Sequence, residues 1–186
     1  LLFTFMQVGV RFVASDVHPF EVAFFRNFFG LIVVMPLLYR SGVGILRTKK
    51  IHLHAVRGIL QTCGMLLFFS ALTLAPLAQN VALSFTAPLF TVVLAVLLLG
   101  EPSGWRRWLA LAIGFIGAWI VIRPGFSVVN LGGFLVICSS IVWAGSMTII
   151  KYISRSESSL TLTLYMGLFM APLSLMPALF VWSWPS

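Results

Sequence analysis

The chain has 186 residues, of which 60% are hydrophobic and only 9% charged, with a mean hydropathy of +1.07. Soluble domains carry about a quarter charged residues, so a soluble globular core is excluded. The net charge of +8 sits in a few loops between apolar segments and not along an interleaved aromatic–basic face, which argues for topology-setting loop charge and against nucleic-acid binding.

Long continuous apolar runs, without the alternation of a transmembrane barrel, predict an all-α integral membrane protein, a multi-span helical bundle of about seven transmembrane helices. A helix rises about 1.5 Å per residue, so about 20 apolar residues cross a hydrocarbon core of about 30 Å. Span 1 runs to about Ser15 and carries Gln7 and Arg11. The chain starts at Leu1 without a basic segment or small-residue cleavage site, so this stretch reads as a mature span of a trimmed chain and not as a signal peptide. Span 2, Phe20–Tyr39, carries Glu21 at its start and Arg26 inside, and the basic loop from Arg40 to Arg57 follows. Span 3 reaches about Leu74. The uncharged turn Ala75-Pro76-Leu77 leads into span 4, Ala78–Gly100, in which Pro88 predicts a kink.

Span 5, Trp105–Ile122, follows the turn Glu101-Pro102-Ser103-Gly104 and is its antiparallel neighbour. Its Ala110, Gly114 and Ala118 recur every fourth residue, a spacing that predicts close helix packing. Span 6 opens at Asn130-Leu131-Gly132-Gly133, and span 7 runs from about Ser159 to Trp182. Cys63 and Cys138 lie within apolar runs, as small hydrophobes and not as a disulfide framework.

Alternate loops hold five, two and two of the twelve Lys and Arg residues, and Arg11 and Arg26 lie within spans. The positive-inside rule therefore places the 40–57, 101–107 and 151–158 loops, and the amino end, in the cytoplasm. Trp182 and Trp184 suit the outer interfacial belt. On this topology His52 and His54 are solvated loop residues.

Ordered motifs then point to a family. His18-Pro19, Glu21, Phe24-Phe25-Arg26-Asn27, Arg57-Gly58, Ala75-Pro76-Leu77-Ala78-Gln79, Thr86-Ala87-Pro88-Leu89-Phe90, Leu99-Gly100-Glu101, Gly114 with Gly117, and Arg123-Pro124-Gly125 appear in sequence. By these the chain resembles the EamA-type family of the drug/metabolite transporter superfamily. Trp143-Ala144 and the Lys151–Glu157 loop are similar to the opening of that family's second repeat. The resemblance implies ten spans in two inverted five-helix repeats. Residues 1–125 would form the first repeat and residues 126–186 the two-helix start of a second, with about three spans missing.

A carrier needs polar side chains turned toward a shared interior. Arg26 lies about 9 Å into span 2 at helical rise. It shares a small, polar face with Ala23, Asn27 and Gly30, while Phe25, Phe28 and Ile32 occupy the opposite side. Arg26 and Asn27 are candidates for substrate contact, with snorkelling or pairing with Glu21 or Asp16 as the alternative for Arg26. Span 4 presents Asn80 and Ser84 on a stripe with Pro88 and Thr91. Span 6 presents Trp143 between Ser139 and Ser146, and span 7 presents Tyr165. Gln61 of span 3 lines the interior or bonds another helix. Arg11, Glu21 and Glu101 are candidate gating or ion-pair residues. Glu21 is expected nearer water, and Glu101 beside Arg106 and Arg107 in a pair that fixes the turn.

The function implied is secondary transport of small organic metabolites (amino-acid-, nucleoside- or vitamin-like) by alternating access in a bacterial inner membrane. There is no Walker-type phosphate loop, so an ion or counter-solute gradient would drive it. The expected partners are the solute and membrane lipids, with no nucleic acid, cofactor or metal, and a homodimer is compatible. A lipid-modifying membrane enzyme is the alternative, against which stand four scattered acidic residues. A non-transporting assembly subunit is the other.

Overall fold

The computed structural model describes residues 17–100, 104–122 and 131–182. Among them run seven α-helices and no strand: α1 (Pro19–Ser41), α2 (Ile51–Leu74), α3 (Leu77–Ser84), α4 (Ala87–Leu99), α5 (Trp105–Ile122), α6 (Leu131–Ile153) and α7 (Ser159–Phe180), with a 3₁₀ turn at Val43–Leu46. Five stretches are long and apolar enough to cross a membrane: α1, α2, α3 together with α4, α6 and α7. The expected fifth span is α5, 18 residues long and not among those five. The expected first span with Arg11, the turn residue Glu101, and Arg123 to Gly125 lie outside the described residues.

Local chemistry sets the ends and breaks. Pro19 occupies the first turn of α1, where its missing N–H costs nothing, and His18 Nδ1 accepts from the Phe20 amide at 3.3 Å. The helix stops at Gly42, whose φ of +77° favours glycine. Pro88 leaves the Ser84 carbonyl without its helical donor, and a short turn at Phe85 and Thr86, both still in the right-handed helical region, separates α3 from α4. Thr86 Oγ1 donates back to the Leu83 carbonyl at 2.7 Å. The loop before α2 is shorter than the charge pattern suggested. The helix begins at Ile51, so His52, His54 and Arg57 are helical.

Helix α2 is the centre of the bundle. It makes its broadest contact with α6 and also packs on α7; α1 lies mainly on α7 and α4 on α6. The core where they meet comprises Ala23, Met65, Phe68, Phe69, Leu72, Val136 and Met170, among others. Lipid gives helices no hydrophobic reason to associate, so close approach depends on small residues and hydrogen bonds. Gly64 lies against the Ser139 backbone, and Ser139 Oγ donates to the Gly64 carbonyl at 2.8 Å. Gly132 lies so near Ala75 that an added Cβ would stand 2.6 Å from the alanine's own. The small residues of α5 behave differently from expectation. Ala110 is exposed and Gly114 has nothing within 4 Å, so this stripe meets no neighbour among the described residues; the side chain of Ala118 is outside them. Large apolar side chains such as Val33, Leu97 and Phe180 are 77%, 73% and 89% exposed, as lipid contact requires. This is an integral membrane protein.

Loop placement agrees with the charge alternation. Lys50 Nζ donates to Ser156 Oγ at 2.9 Å, so the loops before α2 and after α6 share one side. Ala75 against Gly132, and Trp182 within 6.3 Å of Phe24, mark the other.

Candidate functional site

The small face of α1 turns inward and its bulky face outward. Ala23 is fully buried and Asn27 is 8% exposed, whereas Phe25, Phe28 and Ile32 are exposed. Gly30 departs from this pattern, being exposed yet lining a cavity. Half-buried Arg26 leans over Phe69, its Cζ 5.6 Å from the ring centre. Among the described residues no carboxylate reaches it, and the only ion pair lies elsewhere.

Three cavities meet around these side chains. The first, about 40 Å³, is lined by Arg26, Gln61, Met65, Phe68, Phe69 and Trp143 of α1, α2 and α6. The second, about 230 Å³, holds Arg26, Asn27 and Gly30 against Thr163, Met166 and Gly167 of α7. The third, about 530 Å³, holds Ser84, Pro88 and Thr91 with Arg107, Trp143 and Met147. Arg26 is shared by the first two and Trp143 by the first and third, so the cavities form a row between α1 and α4. The central space admits about three waters, far less than the roughly 300 Å³ of a metabolite pocket.

Within the row, Arg26, Gln61 and Trp143 line the central cavity, and Ser84 lines the third one with Trp143. Gln61 serves both readings, accepting from Ser146 Oγ at 2.8 Å while lining the central cavity. Trp143 Nε1 is buried without a hydrogen-bond partner. Ser84 spends its hydroxyl on the Val81 carbonyl at 2.6 Å. Asn27 braces α1 against α7 and α2: its Nδ2 donates to Ser174 Oγ at 3.1 Å and lies 3.7 Å from Met65 Sδ.

Two candidates lie elsewhere. Asn80 is fully buried, its Nδ2 donating to the Ala71 carbonyl at 2.8 Å and the Ala75 carbonyl at 3.3 Å. It caps the open end of α2. Tyr165 stands at the loop end of α7, where its hydroxyl donates to the Leu46 carbonyl at 2.6 Å. Glu21, expected nearer water, is 2% exposed, although it stands one turn before exposed Phe25.

The largest correction concerns His54. Expected in a solvated loop, it is 2% exposed. Helix α2 starts at Ile51, about two turns earlier than expected, and turns it inward, where its ring stacks on Tyr165 at 4.5 Å. Its Nε2 lies 2.6 Å from Glu157 Oε2, and Thr48 Oγ1 donates to the other carboxylate oxygen. Burial raises the Glu157 pKa, but the bonds from Thr48 and His54 and the charges of His54 and Lys50 outweigh it, holding the carboxyl below its ordinary value. Arg57, also counted as a loop charge, is 4% exposed and donates from Nη1 to the Leu162 carbonyl at 3.0 Å. Extending the α2 face back by one turn would have revealed both, since 54, 57, 61, 64, 65 and 68 share one helical stripe.

A family model described as the EamA-like transporter family matches residues 1–123. An S-adenosylmethionine uptake transporter of Rickettsia prowazekii is 35% identical over 180 residues, covering 97% of this chain and 61% of the relative. A riboflavin transporter of Brucella anthropi is 35% identical over 153 residues, 82% of this chain and 54% of the relative. A pseudopaline exporter of Pseudomonas aeruginosa is 25% identical over 185 residues, 97% and 63% respectively. No solved structure matches. The chain thus spans about three fifths of the length of these curated relatives. On the family match and this shared sequence, the chain belongs to the EamA-like transporter family.

Proposed function

We propose that this chain supplies the solute-binding half of a secondary carrier for small organic metabolites, working by alternating access in a bacterial inner membrane with its amino end in the cytoplasm. Residues 1–125 act as one repeat and 126–186 as the start of the next. The row of cavities between them is the solute path, and the reading is of a carrier and not of an enzyme. The observation that carries it is Arg26. A guanidinium within a membrane-crossing helix costs about 2.5–3.5 kcal/mol to insert, yet it faces two cavities and has no carboxylate partner among the described residues. A solute's anionic group would neutralise it. The unpartnered Trp143 N–H and the rings of Phe68, Phe69 and Trp143 suit a flat heteroaromatic body. Related proteins named as transporters of S-adenosylmethionine and of riboflavin fit such a solute class.

The test is uptake or efflux of a radiolabelled panel by reconstituted full-length protein. Arg26→Ala should cut transport of the accepted solute at least tenfold, with Arg26→Lys restoring part of it. Normal insertion with unchanged transport in Arg26→Ala would remove Arg26 from the site. Coupling to an ion or counter-solute gradient is read from the same vesicles by collapsing each gradient in turn.

A further inference from the structure

We propose that the His54–Glu157 contact is a gate: a partly buried polar clasp that closes the cavity row toward the Lys- and Arg-rich side and must part for solute to pass. The proposal rests on the transport reading above.

The clasp joins two parts of the chain more than a hundred residues apart. From one side come Thr48, Lys50 and His54; from the other come Ser156, Glu157 and Tyr165. Thr48 and His54 hold the two oxygens of one carboxylate. Lys50 Nζ bonds Ser156 Oγ at 2.9 Å and lies 4.7 Å from the centre of the Tyr152 ring. Tyr165 covers the imidazole and reaches back to the Leu46 carbonyl. Gln61, which lines the central cavity, is seven residues beyond His54, about 10 Å along α2. The clasp therefore sits as a cap above the cavity.

Its composition suits a contact that opens. Aliphatic side chains would join the same helices at less desolvation cost than an ionisable pair whose imidazole is 2% exposed. His54 Nδ1 and Arg57 Nε are moreover buried without partners, so the closed contact leaves polar atoms that opening would hydrate. Opening would return buried His54 and Arg57 to water, so the closed and open states lie nearer in free energy than an aliphatic seam would allow. The central cavity, at about 40 Å³, has no room for a metabolite until helices part.

The gate is tested in full-length protein in vesicles, with Cys63→Ala and Cys138→Ala as background and Gln61→Cys as the reporter in the cavity. Labelling of exposed Lys49→Cys by a membrane-impermeant maleimide identifies the side bearing the clasp. From that side, Glu157→Gln and His54→Gln should each raise the Gln61→Cys labelling rate about tenfold. Bridging Thr48→Cys to Glu157→Cys with a short reducible crosslinker should abolish transport and slow the labelling, and reduction should restore both. Unchanged labelling in both variants, or a bridged protein that transports at the unbridged rate, overturns the gate. Because bridging acts on folded protein, a variant that fails to fold does not shelter the proposal. A protein that transports no solute while labelling still follows the clasp refutes the transport reading and leaves the gate standing.

Discussion

Replacing Gly58 by alanine tests whether a close helix crossing sets the bundle beneath the clasp. A Cβ added at Gly58 would stand 2.6 Å from Phe169 Cβ and 3.4 Å from its Cγ. Ordinary carbon contacts lie at about 3.5–4.0 Å, so α2 and α7 must move apart by about 1 Å. Phe169 cannot swing clear, because its Cβ is fixed to the backbone. Overpacking costs about 1–3 kcal/mol. Here the clash is with a Cβ and not with the far end of a side chain, so the upper part, about 2–3 kcal/mol, applies, and alanine's better helix propensity returns about 1 kcal/mol. The net loss of about 1–2 kcal/mol lowers Tm by about 2–8 °C for a chain of this size.

The assay is thermal unfolding of the purified protein in detergent, followed by tryptophan fluorescence. Gly145→Ala is the internal control: its new Cβ meets only Leu60 Cδ1, at 3.5 Å, so propensity alone should hold or raise Tm, by about 2–4 °C at most. Gly58 is one turn from His54 on α2, and Phe169 one turn from Tyr165 on α7. The same separation should draw the Tyr165 ring off the imidazole and speed labelling of the cavity reporter. If Gly58→Ala melts within about 1 °C of the parent and beside Gly145→Ala, the close crossing does not hold these helices and the reasoning fails.

Other consequences are as direct. Asn80→Ala strips its donor from the Ala71 and Ala75 carbonyls and should cost about 1–3 kcal/mol, read as a lower Tm with solute KM unchanged; a raised KM at unchanged Tm would return Asn80 to the solute path. Glu157, whose folded carboxyl titrates below its ordinary 4.5, adds stability that is fully present above that value and is lost as pH falls through the folded value. Tm should therefore drop between pH 6 and pH 3 more steeply in the parent than in Glu157→Gln, and parallel slopes would contradict the pair. Trp143→Phe keeps the ring but removes the unpartnered N–H; it should weaken solute affinity about tenfold with no loss of Tm, whereas Trp143→Ala should lower both.

What the sequence made legible follows from the length scale of each signal. Hydropathy sums over about 20 residues, so the spans stand out even where a short turn before Pro88 separates α3 from α4. Loop charge sums over whole loops, and the pairing of Lys50 with Ser156 on one side agrees with it. The face of α1 is legible because Ala23 and Asn27 recur at helical spacing against Phe25, Phe28 and Ile32. Individual polar fates are set by one neighbour and are not legible this way. Asn80 looks like a cavity residue until the open end of α2 arrives to take its amide. Tyr165 looks the same until the Leu46 carbonyl takes its hydroxyl.

His54 and Arg57 were hidden for a sharper reason. A run of basic residues reads as loop because charge is expensive in lipid, yet that expense applies only where no partner waits. Glu157 and the Leu162 carbonyl wait more than a hundred residues away in sequence, beyond the reach of any local pattern. His54 and Arg57 thus tie the two halves of the chain together. On the proposed carrier reading, polar contacts belong there, where helices have to separate, and aliphatic ones where they do not. The core around Phe68, Leu72 and Val136 and the clasp around His54 divide along that line.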